Sequence, residues 1–421
     1  MTESLLPAHW NTAAIWLVSL TSIALVLVRP KRLPEAWWAA AGAGLLVFLR
    51  LLSPVAAARA IAKGLDVYLF LIGMMLMSEL ARREGVFDWV ARHAVRTSGG
   101  SGKRLFALIY GVGVIVTVFL SNDATAVVLT PAVLAAVRTA EADPWPYLMV
   151  CAFIANAASF VLPISNPANL VVYSGGMPPL GRWLMTFGLP SLASIFVTYG
   201  VLRWLARKQL QGQIRTNVDG PPLSATGTLT LYGIACLAMT LMTASALNMN
   251  LGTPACVVGL AVAAVISIRD YKTPRDVIRE IPWSVLPLVA GLFVIVEGLN
   301  GANALSATVH ALRAMKEWQP LHAAMTSGFS IAFISNLMNN LPSGLISGSA
   351  VEVAGATGPL RDAVLIGVDL GPNLSVTGSL ATILWLIALR REGQEIGFWK
   401  FLSWGTLAMP PALALAIVAL L

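Results

Sequence analysis

Long apolar runs separated by short polar breaks dominate the chain, and they are too continuous for half-buried strands or amphipathic surface helices. They predict helices near 10–28, 36–53 and 65–82, a broken pair at 105–138, an interrupted segment at 146–178 with its break from Pro163 to Pro167, and a helix at 183–204. A polar linker, Arg207 to Gly227, carries Gly212, Gly220 and Pro221-Pro222. Beyond it come helices near 228–247, 252–268 and 282–298, a second broken pair at 319–350, a second interrupted segment at 362–389 around Gly371-Pro372, and a last helix at 397–420. Because about 20 apolar residues cross the hydrocarbon core, the pattern predicts an all-α polytopic membrane protein with about ten transmembrane helices and two re-entrant hairpins. The first run, Trp10 to Val28, has no basic segment before it and no small-residue cleavage site behind it, and reads as a retained span.

The two halves resemble each other in detail. Gly73 and Glu79 in LIGMMLMSELAR lie 218 positions before Gly291 and Glu297 in VAGLFVIVEGLN. Nearly the same offset carries Ser121-Asn122-Asp123 onto the Asn339-Asn340 region and Pro163-Ile164-Ser165-Asn166 onto Ser375-Val376-Thr377-Gly378. A half with an odd number of crossings inserts its copy upside down, so the expectation is two inverted repeats, 1–206 and 228–421, joined by a cytoplasmic linker at 207–227. Basic residues test this topology: with a periplasmic N-terminus, 21 fall on the cytoplasmic side and seven outside (Arg50, Arg59, Lys63, Arg182, Arg313, Lys316 and Arg361). The asymmetry holds only if 105–138 is a hairpin entering from the cytoplasm and 319–350 one entering from the periplasm. Both termini are then periplasmic. Glu84 to Thr97 reads as an interfacial helix with Val86, Trp89, Val90 and Ala94 on one face and Arg92 and Arg96 on another, and Ala302 to Arg313 as its counterpart.

Unwound backbone at membrane depth is tolerated only where it is buried or lines a cavity, which makes the breaks the candidate substrate site. The first break offers Asn122, Asp123 and Thr125, with Asn122 or Asp123 placed to cap the half-helix that follows. The second offers Asn156, Ser165, Asn166 and Asn169, and the third Asn339 and Asn340. The fourth offers Asp369, Asn373, Thr377 and Ser379. Such residues can also serve as helix glue, but paired breaks at matching places in two halves point to a site. Four carboxylates fall at membrane depth, where each needs a partner or a pathway: Glu79, Asp123, Glu297 and Asp369. Glu79 precedes Arg82 and Arg83 by three and four residues and reads equally as a helix-end ion pair, whereas Glu297 has no such neighbour in sequence. Asp123 and Asp369, at the breaks, are the preferred proton-coupling residues. Two carboxylates there disfavour a dianionic substrate and suit a neutral hydroxylated solute or a small cation.

Composition narrows the classes further. At 57% hydrophobic and 11% charged residues, no separate soluble domain fits. The net charge of +8 lies in loops without aromatic interleaving, which argues for topology and against nucleic acid. Cys151, Cys236 and Cys256 lie in apolar stretches without CxxC spacing and read as packing. Gly99-Gly100-Ser101-Gly102-Lys103 is spaced like a phosphate loop, but Arg104 replaces the magnesium-binding Ser/Thr and no strand precedes it, so it reads as a basic loop. No enzyme motif of the HExxH or GxSxG type is present.

FLSNDATAVVLTPAVLA and GVDLGPNLSVTGSLATILWL, with the hairpin tip MNNLPSG, resemble the ArsB arsenite and antimonite efflux family of the ion transporter superfamily, and the likeness spans nearly the whole chain. Superfamily members that carry dicarboxylates, citrate or sulfate typically show Ser-Asn-Thr in both hairpins. Here Asp123 replaces the Thr of the first, and the second reads Asn339-Asn340. The resemblance implies a bacterial inner-membrane exporter of trivalent arsenic and antimony hydroxides, driven by proton antiport and in some members docked to a soluble arsenite-stimulated ATPase, with no cofactor and no metal beyond the substrate. Cys151 would then lie near the substrate, but a tight thiolate cage would hinder release, so it still reads as packing. A sodium/proton antiporter of the same superfamily and a passive channel or ATPase-docked subunit are the alternatives.

Overall fold

A computed structural model describes residues 11–28, 30, 33–216, 218, 220–269, 273–302 and 305–421. Trp10, the topology charges Arg29, Lys31, Arg32 and Lys272, and Asn303 and Ala304 of the second interfacial segment lie outside the described residues. The described chain is helical, with a single isolated bridge between Ser101 and Gln213. The first half runs α1 (Asn11–Val28), α2 (Glu35–Phe48), α3 (Pro54–Lys63), α4 (Leu65–Arg83), α5 (Val86–Thr97), α6 (Gly102–Phe119), a π-helical stretch (Ala124–Leu129) leading into α7 (Thr130–Thr139), α8 (Trp145–Ala157), α9 (Pro167–Val172) and α10 (Leu180–Leu205). The second runs α11 (Ala225–Ala246), α12 (Gly252–Arg269), α13 (Thr273–Glu280), α14 (Val285–Gly301), α15 (Ser306–Met315), α16 (Pro320–Met338), α17 (Asn340–Ala354), α18 (Pro359–Leu370), a 3₁₀ turn (Gly371–Leu374), α19 (Leu380–Arg391) and α20 (Phe398–Val418). Element for element, the second half returns the order of the first.

Among the described residues α6, α10, α11 and α20 are each long and apolar enough to cross a membrane, and α3–α4 and α14–α15 pass the same test as pairs bent by 47° and 79°. The other expected spans are divided or short. The segment 146–178 becomes α8 and α9, and 362–389 becomes α18, the 3₁₀ turn and α19. Two short helices, α3 and α13, occupy stretches that the apolar pattern left as loops; Ser53 caps α3 by accepting from the Ala56 amide, with Pro54 in the first turn.

Close approach of helices across the two halves sets the packing. α4 lies on α12 and α14 on α2. A Cβ at Gly73 would come within 2.2 Å of the Ala255 carbonyl oxygen, and one at Gly291 within 2.7 Å of the Ala39 backbone. The glycines of the 218-residue repeat thus let backbones touch where lipid offers no hydrophobic drive for association. α8 is buried from Pro146 to Ala157 and α18 from Asp362 to Leu370, which makes the leading arms of the two interrupted segments the centre of the molecule. α10, by contrast, is largely exposed and packs on α20, and both carry internal prolines (Pro190; Pro410 and Pro411).

The amphipathic helix expected from Glu84 to Thr97 forms as α5, but its buried face is Val86, Phe87, Ala91, Ala94 and Val95, with Trp89 and Val90 only half-buried. Its arginines hold the linker: Arg96 donates to the Val218 carbonyl at 2.8 Å and Arg92 to that of Pro221 at 3.3 Å. The glycine-rich loop before α6 is likewise pinned, because the Ile214 amide donates to the Gly100 carbonyl and Ser101 caps the helix.

Substituting Gly73→Ala places a methyl group against immovable backbone and is expected to destabilise by about 1–3 kcal/mol. Gly44→Ala, where a Cβ meets nothing within 4 Å, gains helix propensity and should hold or raise stability by up to about 1 kcal/mol. Thermal unfolding of the purified variants in detergent checks both; an unchanged midpoint for Gly73→Ala would contradict the α4–α12 contact.

Candidate functional site

The first break begins where α6 stops at Phe119. Ser121 Oγ accepts the Ala124 amide at 3.1 Å, so Ser121, not Asn122 or Asp123, is the cap. Asn122 Oδ1 accepts from the amide of Asp123 at 2.9 Å, and the Asn122 amide crosses to the second break to donate to the Ser165 carbonyl at 3.0 Å. Thr125 exchanges a hydroxyl hydrogen bond with Thr117 at 2.8 Å. Asp123 is partly exposed, and its carboxylate has no hydrogen-bond partner among the described residues.

The third break repeats this geometry. Asn339, at φ +77° and ψ 152°, holds a backbone conformation that costs a side-chain-bearing residue energy. Its Oδ1 caps α17 through the Leu341 amide at 3.3 Å. The Asn340 amide donates to the Gly378 carbonyl in the fourth break at 2.8 Å. Ser335 and Ser343 share a hydroxyl hydrogen bond at 2.7 Å, the counterpart, 218 positions on, of Thr117 and Thr125.

Each interrupted segment also holds its own hairpin by side chains. Ser165 Oγ donates to the Val118 carbonyl at 3.1 Å, and Asn166 Oδ1 caps α9 through the Ala168 amide at 3.0 Å. In the second half Thr377 Oγ1 donates to the Asn336 carbonyl at 2.9 Å, Ser375 Oγ to Asn336 Oδ1 at 2.7 Å, and Ser379 Oγ caps α19 through the Thr382 amide at 3.0 Å.

The halves meet at the second and fourth breaks. Asn156 Nδ2 donates to Asn373 Oδ1 at 3.0 Å, and these two residues are themselves 217 positions apart. Asn373 Nδ2 donates to the Phe153 carbonyl at 3.0 Å. Asn166 Nδ2 donates to Asp369 Oδ1 at 2.8 Å, tying a carboxylate of one half to an amide of the other. The four breaks therefore join as a chain, first to second to fourth to third.

Buried side-chain atoms without a partner among the described residues include a donor, Trp385 Nε1 of α19, and three acceptors at the junction of the halves. Asn156 Oδ1, Asn169 Oδ1 and Asp369 Oδ2 are buried acceptors without a donor, and their residues are fully buried. They are grouped around Ser159: its hydroxyl donates to the Asn156 carbonyl at 2.8 Å, its own carbonyl accepts from Asn169 Nδ2 at 2.9 Å, and Asp369 lies beside it. An orphaned buried polar atom is costly. Three such acceptors near Ser159 make this junction the candidate site. None of the four breaks carries a Lys or Arg.

Glu79 and Glu297 stand apart from this network. Glu79 pairs with Arg82 at 2.6 Å, and Arg82 and Arg83 also pair with Glu280 of α13. Glu297, without a cation nearby in sequence, receives one through the fold: Lys63 of α3 at 2.9 Å. Sequence reasoning missed Ser159, Asn336 and Thr382; Asn336, three residues before the hairpin tip, could have been found as the position 218 after Val118. Cys151 is buried in α8, and among the described residues no group of His, Cys, Asp and Glu is arranged to hold a metal ion.

The sequence model of the CitMHS family, described as a citrate transporter, matches residues 23–368. An arsenical pump membrane protein of Escherichia coli is 28% identical over 424 residues, covering 96% of this chain and 97% of its own length. One from Yersinia enterocolitica is 27% identical over 361 residues, covering 83% and 84%. The YdaH transporter of Alcanivorax borkumensis, a crystal structure reported to have an unusual topology, has a TM-score of 0.56 at 14% identity over 86% of each chain, a likeness of fold.

Asn166→Leu removes both the α9 cap and the donor to Asp369 Oδ1, and each group left without a partner costs about 1–3 kcal/mol. Thr125→Val leaves Thr117 a hydroxyl free to turn to another acceptor and should cost about 1 kcal/mol or less. Thermal unfolding in detergent separates the two; equal midpoints would argue against the bond between the halves.

Proposed function

The chain belongs to the CitMHS citrate-transporter family, and from that premise we propose that it exports neutral hydroxides of trivalent arsenic and antimony from the cytoplasm by proton antiport. The observation that carries this reading is the donorless set at the junction of the halves: Asp369 Oδ2, Asn156 Oδ1 and Asn169 Oδ1. Citrate at neutral pH brings acceptors and negative charge, which such a site would repel. Arsenous acid brings hydroxyl donors and no charge. The arsenical pump relatives, similar over nearly the whole chain, support the same cargo.

Asp369 is the proposed proton carrier. Its carboxylate is fully buried, with Asn166 donating to Oδ1 and the Ser159 hydroxyl beside it, so a charge there is expensive unless a proton or a substrate hydroxyl occupies Oδ2. Substrate hydroxyl and proton then compete for one oxygen, which is the condition for exchange. Asp123, partly exposed at the first hairpin tip, is the second candidate. Glu79 and Glu297, held in ion pairs, are assigned to structure. The same reading takes the chain as two inverted repeats, 1–206 and 228–421, in the bacterial inner membrane with both termini periplasmic, and leaves the cytoplasmic linker side as the place where a soluble ATPase would dock.

Everted vesicles containing the protein should accumulate arsenite when acidified inside, and citrate should not compete. Asp369→Asn, by giving Oδ2 a donor in place of an acceptor, should cut accumulation by about ten- to a hundredfold, the equivalent of about 1.5–3 kcal/mol for a charge-assisted hydrogen bond. Citrate uptake, or sodium-dependent collapse of the pH gradient untouched by arsenite, would sink the proposal.

A further inference from the structure

Where α10 leaves the apolar region, its last turns and the first turn of α6 enclose a groove of ≈ 350 Å³, lined by Lys103, Gly200, Arg203, Trp204, Arg207 and Leu210. Its three cations are exposed, and no carboxylate pairs with any of them among the described residues. The two arginines are held in place by aromatic groups. Arg203 donates to the Tyr199 hydroxyl at 2.6 Å, and the Arg207 guanidinium lies 4.9 Å from the centre of the Trp204 ring. Lys103 stands in the first turn of α6, where unpaired amides add positive potential.

The groove continues into an apolar track. Met185, Leu189, Leu192 and Phe196 are 87%, 63%, 51% and 66% exposed and follow one another at helical spacing on α10. That face leads straight to Gly200, where a Cβ would meet nothing within 4 Å, leaving a notch between the apolar track and the cations. A ligand that fits both parts has a phosphate at one end and a hydrocarbon chain at the other. A free phosphate would use only the cations, and ordinary solvated surface arginines need neither the notch nor the aromatic clamps.

We propose that this groove binds an anionic phospholipid, its phosphate between Lys103, Arg203 and Arg207 and an acyl chain along Phe196 and Gly200. Basic residues gather on this face of the molecule, which the charge bias marks as cytoplasmic, so the lipid belongs to the anionic inner leaflet. The site does not depend on what the protein carries.

Native mass spectrometry of the full chain, released from detergent with added phosphatidylglycerol or phosphatidylcholine, tests this. Phosphatidylglycerol should be retained in preference, and the Arg203→Ala/Arg207→Ala double variant should lose that preference by about twenty-five-fold, at roughly fivefold per surface charge. Arg390→Ala/Arg391→Ala, an exposed basic pair outside the groove, should change it by less than about twofold. Gly200→Leu, which fills the notch and keeps every charge, should also weaken retention. Equal retention of the two lipids, or equal losses in both double variants, would overturn the proposal. So would full binding by Gly200→Leu with inorganic phosphate as an effective competitor, since the groove would then be an anion site that takes no lipid.

Discussion

Every backbone amide or carbonyl released at a break inside the membrane must find a partner within the protein, because the bilayer core offers none and each unmet group costs several kcal/mol. This chain meets that requirement by opposing its breaks in pairs. The amide at each hairpin tip, Asn122 or Asn340, donates to a carbonyl of the interrupted segment in its own half, Ser165 or Gly378. These two bonds make hairpin and interrupted segment one body in each half. Between the bodies, among the described residues, the bonds run through side chains: Asn156 to Asn373, Asn166 to Asp369, Tyr173 to Asp362, and Asn373 to the Phe153 carbonyl. A rearrangement of one half against the other can exchange the second class while leaving the first intact, so the cheap bonds lie where movement would be needed.

The remaining helices are arranged to hold that centre. α4 of the first half lies on α12 of the second, and α14 of the second on α2 of the first, each through a glycine of the same repeat register. Their ends are tied by charge in the same exchanged manner: Glu79, Arg82 and Arg83 of α4 meet Glu280 of α13, while Glu297 of α14 meets Lys63 of α3. Exposed ion pairs contribute little to stability. Their value here is registration, since they fix where each crossing pair of helices stops, and α5 and α15 leave from those ends toward the hairpins.

Much of this was legible in the residues. The apolar runs, the two broken pairs, the two interruptions and the 218-residue register all reappear as elements in the expected order, because hydropathy and proline or glycine breaks are local properties. Pairings between distant residues were not legible. Lys63 lies 234 positions from Glu297 and Asn166 lies 203 from Asp369, and nothing in either local stretch names the other. α3 and α13 escaped notice because helices this short, each broken by charged residues, carry no long apolar run. The cap at Ser121 was missed for a subtler reason: Asn122 and Asp123 are equally good capping types, and the π-helical start of the following segment decides which side chain reaches the amide.

The symmetry of the frame makes its exceptions informative. Hydroxyl pairs, caps and tip amides recur in both halves, so they answer to the common problem of holding unwound chain in a membrane. Asp369 and Asp123 do not recur: the positions 218 residues away are Cys151 and Leu341. A carboxylate present in one half only breaks the equivalence of the two sides of the site. A symmetric set of amides would treat a ligand alike from either face, whereas a single buried carboxylate gives the centre one oxygen that a proton or a hydroxyl donor can claim. Fold alone leaves cargo open, and a family described by citrate needs donors or cations at its centre to hold such an anion. This chain keeps the frame and fills the centre with acceptors. On the proposed reading, a few side chains at the breaks, with no change of architecture, turn such a frame from an anion toward a neutral hydroxide.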